Sequence, residues 1–265
     1  MFEYNFKKKM GVVLVAACLA VPQIGVVRAE VVLELLGTYK TGLFDQGGAQ
    51  IVAYDARSKT VVVANTGINQ LDLLDVANPA QPKKIGMIDL GAYGLGTNGV
   101  AVHDGLIAAA VEAEDPLAPV NAVFLDLEGN VLSSIGVGAM PDMSVFTPDG
   151  RKVLVANEGE PNDDYSNDPQ GTIFIIDVAG GAAQLDAGNV RTVDFTSMNK
   201  KGLPGGAKIG KPGQPLDLDL EPEFIGVSPD SKTAFVAVQE HNALAIIDVD
   251  AAKLRKVIGL GFKDW

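Results

Sequence analysis

Several residue types are scarce in this sequence, and each shortage excludes a class of function. Among its 265 residues there is one cysteine, Cys18, and there are two histidines. A chain with one cysteine forms no internal disulfide bond, so its stability depends on a core or on metals. Aromatic residues make up 6% of the chain, too few for the stacking surfaces that bind single-stranded nucleic acid. No Gly-x-Ser-x-Gly motif is present, so the sequence gives no support for a serine-hydrolase triad.

Positive charge is also scarce. Lys and Arg total 21 while Asp and Glu total 33, which gives a formal net charge of −12. Nucleic acids and anionic membrane surfaces attract proteins through a basic surface, so we expect neither as a partner. An acidic chain is compatible with cation binding. Apolar residues make up 47% of the sequence, which is enough to form a sizeable core.

The N-terminus has the layout of a secretory signal peptide. Three lysines at 7–9 precede an apolar run over 10–21, and Ala29 closes a cleavage site of small or modest residues. We therefore expect 1–29 to be removed on export, which leaves no membrane span and directs the protein to the periplasm, the cell surface or the medium. The alternatives are a retained membrane anchor and, less favoured because the following residues stay apolar, a lipoprotein cleaved before Cys18.

Export changes the chemistry available to the chain. Removal of the leader takes away four basic residues and one acidic residue, so the net charge becomes −15. It also takes away the sole thiol. Thiol catalysis, cysteine-ligated zinc and haem attachment are therefore excluded for the exported protein.

A repeat organises 30–265. Four apolar–Asp–apolar triplets end near 76, 127, 178 and 249, with their aspartates spaced 51, 51 and 71 residues apart. Two further strands are predicted upstream of each triplet. The nearer strands are Thr60–Asn65, Leu106–Glu112, Lys152–Asn157 and Thr233–Val238, and the earlier ones are 50–54, 99–102, 143–146 and 224–227.

Short β-branched strands with a period of about fifty residues are typical of propeller blades. The segments 147–150 and 228–231 have the Pro-Asp chemistry of tight turns between strands. We therefore predict an all-β fold, a β-propeller with about four blades; a β-sandwich is the alternative. The fourth repeat is delayed by a Pro- and Gly-rich insert over 199–215, which is predicted to be a long surface loop.

Several segments carry a family resemblance that covers nearly all of 37–264. They are LVANEGEP at 154–161, DY at 164–165, DPQG at 168–171, DLEPE at 219–223, QEHNAL at 239–244 and LGFKD at 260–264. These motifs resemble the choice-of-anchor I family. The resemblance implies a YVTN-type β-propeller of the seven-bladed type, similar to mesenchyme-specific cell-surface glycoproteins and to propeller proteins labelled alkaline phosphatase. His241 stands where an Asn is commoner in the family.

The resemblance also bears on completeness. Family members are usually about twice as long and often carry a C-terminal anchor. We therefore expect this chain to be the incomplete N-terminal portion of a longer propeller.

The acidic residues form the candidate site. In a propeller, the loop leading into the first strand of a blade and the loop joining its second and third strands open on the same face. Carboxylates crowded there repel one another unless a cation compensates them, and hard divalent cations take six to eight oxygen ligands. We predict a site for Ca²⁺ or another divalent cation; the alternative is a set of solvated loop carboxylates. The predicted ligands are Glu112, Glu158, Glu160, Glu221, Glu223 and Glu240.

His241 is the better placed of the two histidines, because it follows Glu240 directly. It is a candidate general base or metal ligand, with a structural role as the alternative.

Two functions remain after these exclusions. The first is an exported protein that binds a small ligand or a cell-surface component, with the cation site at the mouth of the channel. The alternative is a metal-dependent phosphoesterase, which the family label implies. Phosphate chemistry usually needs cationic groups, and the acidic motif loops have none. The nearest lysines are Lys200, Lys201, Lys208 and Lys211 in the insert.

Overall fold

Four antiparallel sheets of four strands each make up the fold in the computed structural model, which describes residues 32–262. The predicted signal peptide at 1–29, with Cys18, lies outside the described residues. The prediction of an all-β fold with about four blades is confirmed. We number the sheets 1 to 4 in chain order. None of the helices within 32–262 is long and apolar enough to cross a membrane.

The strands of each sheet follow one another in chain order. Sheet 1 contains β1 (Ile51–Asp55), β2 (Thr60–Asn65), β3 (Gln70–Asp75) and β4 (Lys83–Asp89). Sheet 2 contains β5 (Gly96–His103), β6 (Leu106–Glu112), β7 (Pro119–Leu125) and β8 (Val131–Ala139). Sheet 3 contains β9 (Pro141–Phe146), β10 (Lys152–Asn157), β11 (Thr172–Asp177) and β12 (Val190–Asp194). Sheet 4 contains β13 (Ile225–Val227), β14 (Thr233–Val238), β15 (Ala243–Asp248) and β16 (Lys253–Gly259).

Each sheet extends beyond its triplet. The triplets at 76, 127, 178 and 249 end the third strands, and β4, β8, β12 and β16 add a fourth strand that the sequence did not predict. These outer strands read KKIGMID, VLSSIGVGA, VRTVD and KLRKVIG; β4 and β12 are mostly exposed, whereas β8 and β16 alternate between exposed and partly buried positions. A half-solvated edge strand needs few apolar residues, so its sequence pattern is weak. Sheet 4 is complete with four strands.

Successive sheets pack face to face. The first strands lie in order, with β1 beside β5, β5 beside β9 and β9 beside β13. A separate apolar core fills each of the three spaces between neighbouring sheets. Alternate residues of β10 serve two of these cores, since Val155 faces sheet 2 and Leu154 faces sheet 4. Both faces of β10 are therefore apolar, as expected for a blade between two others.

The outer faces of sheets 1 and 4 also carry apolar side chains. Val52 and Tyr54 in β1 are 64% and 56% exposed, and Phe235 in β14 is 40% exposed. Asp72 is one of two buried aspartates in sheet 1, the other being Asp55. Asp72 accepts a hydrogen bond from the Tyr39 hydroxyl at 2.9 Å and is 2.7 Å from Lys84. This contact attaches the segment before β1 to the sheet.

The Pro-Asp segments form the predicted turns, and they contact each other. The backbone N–H of Gly150 donates to the Thr147 carbonyl at 2.8 Å, and that of Ser231 donates to the Ser228 carbonyl at 2.9 Å. The Ser231 hydroxyl accepts from the backbone N–H of Asp149 at 3.1 Å. The two turns therefore join sheets 3 and 4 at one end, while the loops that follow β10 and β14 lie at the other.

The insert follows sheet 3 and contains little regular structure. Two short helices flank it, α1 (Met198–Lys201) and α2 (Leu216–Asp219). The rest of the insert is irregular.

Candidate metal centre

Three glutamates from three separate loops converge beside sheets 3 and 4. Glu158 follows β10, Glu240 follows β14, and Glu223 lies two residues before β13. One carboxylate oxygen from each residue lies within 4.8 Å of the other two. This is the arrangement that the order of strands in a blade predicts, because these loops open on one face. We call Glu158, Glu223 and Glu240 the carboxylate triad.

Backbone contacts fix two members of the triad. The N–H of Glu158 donates to the Met140 carbonyl at 2.8 Å, and the N–H of Glu223 donates to the Ala237 carbonyl at 3.0 Å. Both bonds continue the strand ladders for one step beyond the sheet. The carboxylates therefore project from the ends of rigid strands rather than from freely moving loops.

The triad has no basic counter-ion in the part of the chain that the structure describes. None of the five ion pairs found within residues 32–262 includes Glu158, Glu223 or Glu240. One oxygen of Glu223, Oε1, is buried without a hydrogen-bond partner. A buried acceptor without a partner is unfavourable, so this group of carboxylates is incomplete as it stands.

The crowding shifts the protonation of these groups. Burial, followed by repulsion from Asp142 and Glu160, raises the pKa of Glu158 to about 7. Burial, followed by a hydrogen bond with Glu240, raises the pKa of Glu223 to about 8. That same hydrogen bond lowers the pKa of Glu240. Glu223 therefore holds a proton that it shares with Glu240 at neutral pH.

Two further predicted ligands lie close to the triad without joining it. Burial and repulsion from Glu158 raise the pKa of Glu221 to about 7. Glu160 is near enough to raise the pKa of both Glu158 and Glu221. Neither residue belongs to the group of converging oxygens found in the described part of the chain.

Glu112 is not brought into this group. It ends β6 in sheet 2, one sheet away from the space between sheets 3 and 4. Asp142 is near instead, and burial followed by repulsion from Glu240 raises its pKa. Asp142 lies at the start of β9, in the same kind of position from which Glu223 reaches the triad. Its place in the chain was therefore the signal that could have identified it.

His241 lies beside the triad but is turned towards another carboxylate. Its Nε2 is 3.2 Å from Oδ2 of Asp219, and the side chains are 1% and 3% exposed. Both ring nitrogens of His241 are buried without a hydrogen-bond partner among the described residues. Burial lowers the pKa of His241, although Asp219 opposes this change. Asp219 also accepts the backbone N–H groups of Gly210 and Lys211 at 3.1 and 2.6 Å.

Asp219 was not predicted as a site residue, although it opens the DLEPE motif. Its two hydrogen bonds bring the insert to the site. The N–H of Lys208 donates to the His241 carbonyl at 2.8 Å, and the Lys211 ammonium lies 4.0 Å from the centre of the Tyr165 ring. Basic residues that seemed remote in the sequence thus border the acidic loops.

A cavity of about 330 Å³ opens between these loops and the insert. Acidic groups dominate its wall. The side chains that give it its chemical character are Glu160, Tyr165, Lys208, Glu221, Glu240 and His241. Since Glu240 belongs to both, the cavity adjoins the triad.

Comparison with known proteins identifies the family of this fold. The family model of the choice-of-anchor I domain matches residues 50–265. No curated protein sequence matches the chain.

Two solved structures are similar in fold at low sequence identity. Hydrazine synthase from Kuenenia stuttgartiensis is 16% identical with a TM-score of 0.44, over 75% of this chain and 64% of that one. A functionally unknown protein from Desulfotomaculum acetoxidans DSM 771 is 15% identical with a TM-score of 0.48, over 76% of this chain and 52% of that one. The chain thus spans less than two thirds of the length of each.

Proposed function

This chain belongs to the choice-of-anchor I family, and we propose that it is an exported protein. We also propose that it binds a divalent cation at the carboxylate triad. The loops around the triad then bind a small ligand or a cell-surface component. Family membership supports a surface-anchored or exported protein with a propeller-like fold. The predicted signal peptide is consistent with that location.

The convergence of Glu158, Glu223 and Glu240 is the observation that carries the proposal. Two oxygens bound to one Ca²⁺ at about 2.4 Å each lie at most about 4.8 Å apart, and the triad meets that limit. A cation would neutralise carboxylates that have no basic partner and would give the buried Oε1 of Glu223 a partner. A site made of carboxylate oxygens suits Ca²⁺ better than metals that prefer nitrogen or sulfur ligands.

A metal-dependent phosphoesterase is the second candidate. It is favoured by Lys208 and His241, which line the cavity that Glu240 shares. A bound cation would polarise a phosphoryl oxygen, Lys208 would offer a positive charge, and His241 would be the candidate base.

Calcium binding to the purified full chain tests the first proposal. Isothermal titration with CaCl₂ and terbium luminescence should both report a saturable site in the wild type. Glu158→Gln and Glu223→Gln should weaken it roughly tenfold or more, since each removes a charged ligand. Glu128→Gln, an exposed change in the β7–β8 turn, is the matched control and should bind as the wild type does. Equal affinity in all four proteins would refute the triad as the site.

The second candidate needs a separate assay. Hydrolysis of p-nitrophenyl phosphate would be measured with and without calcium in the wild type, Glu158→Gln and Glu128→Gln. Turnover that requires calcium and is lost only in Glu158→Gln would establish the phosphoesterase. If the protein binds calcium but shows no turnover, the phosphoesterase is refuted and binding is the function that remains.

A further inference from the structure

The cavity beside the triad is rich in hydrogen-bond acceptors. Carboxylates can only accept when ionised, and five acidic residues line this cavity. His241 adds a further polar group to this wall, with its Nε2 3.2 Å from Oδ2 of Asp219. Neither ring nitrogen has a hydrogen-bond partner among the described residues, although the ring is 1% exposed. A complementary ligand must therefore be rich in donors.

Charge disfavours an anionic ligand at this position, which weighs against the phosphoesterase as the second candidate function. Lys208 is the single basic residue on the wall of the cavity, opposite the five acidic residues. A divalent cation on the triad adds two positive charges, and the negative groups still outnumber the positive ones. A phosphate or carboxylate ligand would be repelled at close range, whereas a neutral ligand would not.

The cation also needs more oxygen ligands than the triad supplies. Ca²⁺ takes six to eight oxygens, and the triad brings together three, one from each glutamate. Glu240 belongs both to the triad and to the cavity wall, so a ligand in the cavity would lie beside a cation held by the triad. An ammonium ligand would donate hydrogen bonds but would offer no oxygen to the metal. A pair of neighbouring hydroxyl groups supplies both the hydrogen-bond donors and the oxygen ligands for the metal.

We propose that the cavity binds a neutral polyhydroxylated ligand, a sugar, with two adjacent hydroxyls on the triad-bound cation and their hydrogens shared with Glu221, Glu240 and Nδ1 of His241. This inference depends on the proposed function, since it needs a cation on the triad. Gly210 makes room for the arrangement: a Cβ there would lie 2.9 Å from Nε2 of His241 and from Oδ1 of Asp219. The cavity volume of about 330 Å³ is within the range of small-ligand sites.

Sugar titrations of the calcium-loaded full chain test the proposal. The ligands are the methyl glycosides of mannose, galactose, glucose and fucose, which together offer cis and trans diols. Isothermal titration should show saturable binding of at least one glycoside with calcium and none after chelation. Glu221→Gln should weaken that binding roughly tenfold, the loss of a strong hydrogen bond, while terbium luminescence shows the cation site intact. Glu128→Gln is again the control.

The possible outcomes separate the two claims. Failure of the wild type to bind calcium refutes the proposed function. Calcium binding without a response to any of the four glycosides overturns the sugar proposal alone. Sugar binding that survives chelation, or calcium-dependent binding of inorganic phosphate in place of sugars, overturns it as well. Should Glu221→Gln fold poorly by circular dichroism, His241→Gln replaces it, with the same loss of sugar affinity expected.

Discussion

Glu223, in the loop that leads into β13, and Glu240, in the loop that joins β14 to β15, bring carboxylate oxygens within 4.8 Å of each other. Two carboxyl groups in contact cannot both ionise without a large repulsion, so one proton remains between them. A cation bound to both carboxylates would neutralise them in place of that proton. Competition between protons and a metal follows from this contact, and it gives the first two predictions.

Without calcium, the stability of the protein should fall as pH rises from about 6.5 to about 8.5. The pKa values of Glu158 and Glu221 are about 7 and that of Glu223 is about 8, whereas an unfolded glutamate ionises near 4.3. Over this interval the folded state holds more protons than the unfolded state, so the free energy of unfolding decreases with pH. His241, whose pKa is lowered, acts in the opposite direction only below about 6.5.

Differential scanning calorimetry across this pH range measures the effect. Calcium replaces the protons, so in its presence the melting temperature should stay nearly constant. A melting temperature that rises with pH in the absence of calcium would contradict the assigned protonation of the triad.

Glu223→Gln should stabilise the calcium-free protein at pH 8.5 and remove its stabilisation by calcium. The neutral amide removes a carboxyl group whose ionisation is unfavourable in the fold, and it also removes a charged ligand. Thermal melts with and without CaCl₂ check both effects. Glu112→Gln is the matched control, because Glu112 was predicted as a ligand but lies in sheet 2. If both variants lose the calcium shift equally, the cation binds elsewhere.

Gly210→Ala should destabilise the fold by about 1–3 kcal/mol, the usual effect of overpacking. The added Cβ would lie 2.9 Å from Oδ1 of Asp219 and 2.9 Å from Nε2 of His241, two buried groups with little room to move. Chemical denaturation measures the change. Gly205→Ala in the same insert has no atom within 4 Å of the new Cβ and should be nearly neutral; an equal loss there would indicate a backbone effect instead.

Tyr39→Phe should cost about 1.5 kcal/mol, the typical value of a hydrogen bond to a charged group. The hydroxyl donates to the Asp72 carboxylate at 2.9 Å, and the same contact, after burial, raises the pKa of Tyr39 to about 12. A urea melt gives the difference in stability. Tyr54→Phe, at a 56% exposed side chain, should leave the midpoint unchanged. An unchanged midpoint for Tyr39→Phe would mean that the segment before β1 contributes nothing to the stability of sheet 1.

Much of the fold could be predicted from local pattern. Strands β2, β6, β10 and β14 have the predicted bounds, because each is a β-branched or apolar run that ends at a turn. Both faces of β10 are apolar because Leu154 and Val155 enter different cores. The sequence shows this directly, since the two neighbouring residues are both apolar. The fourth strands were missed, since β4 and β16 lie at exposed edges where lysine and arginine replace the apolar alternation.

The sequence by itself determined the inventory of the site: an acidic chain with carboxylates at the ends of repeated strands. Only the tertiary structure decided which of them meet. It joined Glu158 to Glu223 and Glu240 across two sheets, left Glu112 in a third, and brought Lys208 to the site through the hydrogen bonds of Asp219. Those contacts link residues far apart in the chain, so they depend on how the sheets pack and on where the insert folds back. Local pattern contains no information about either.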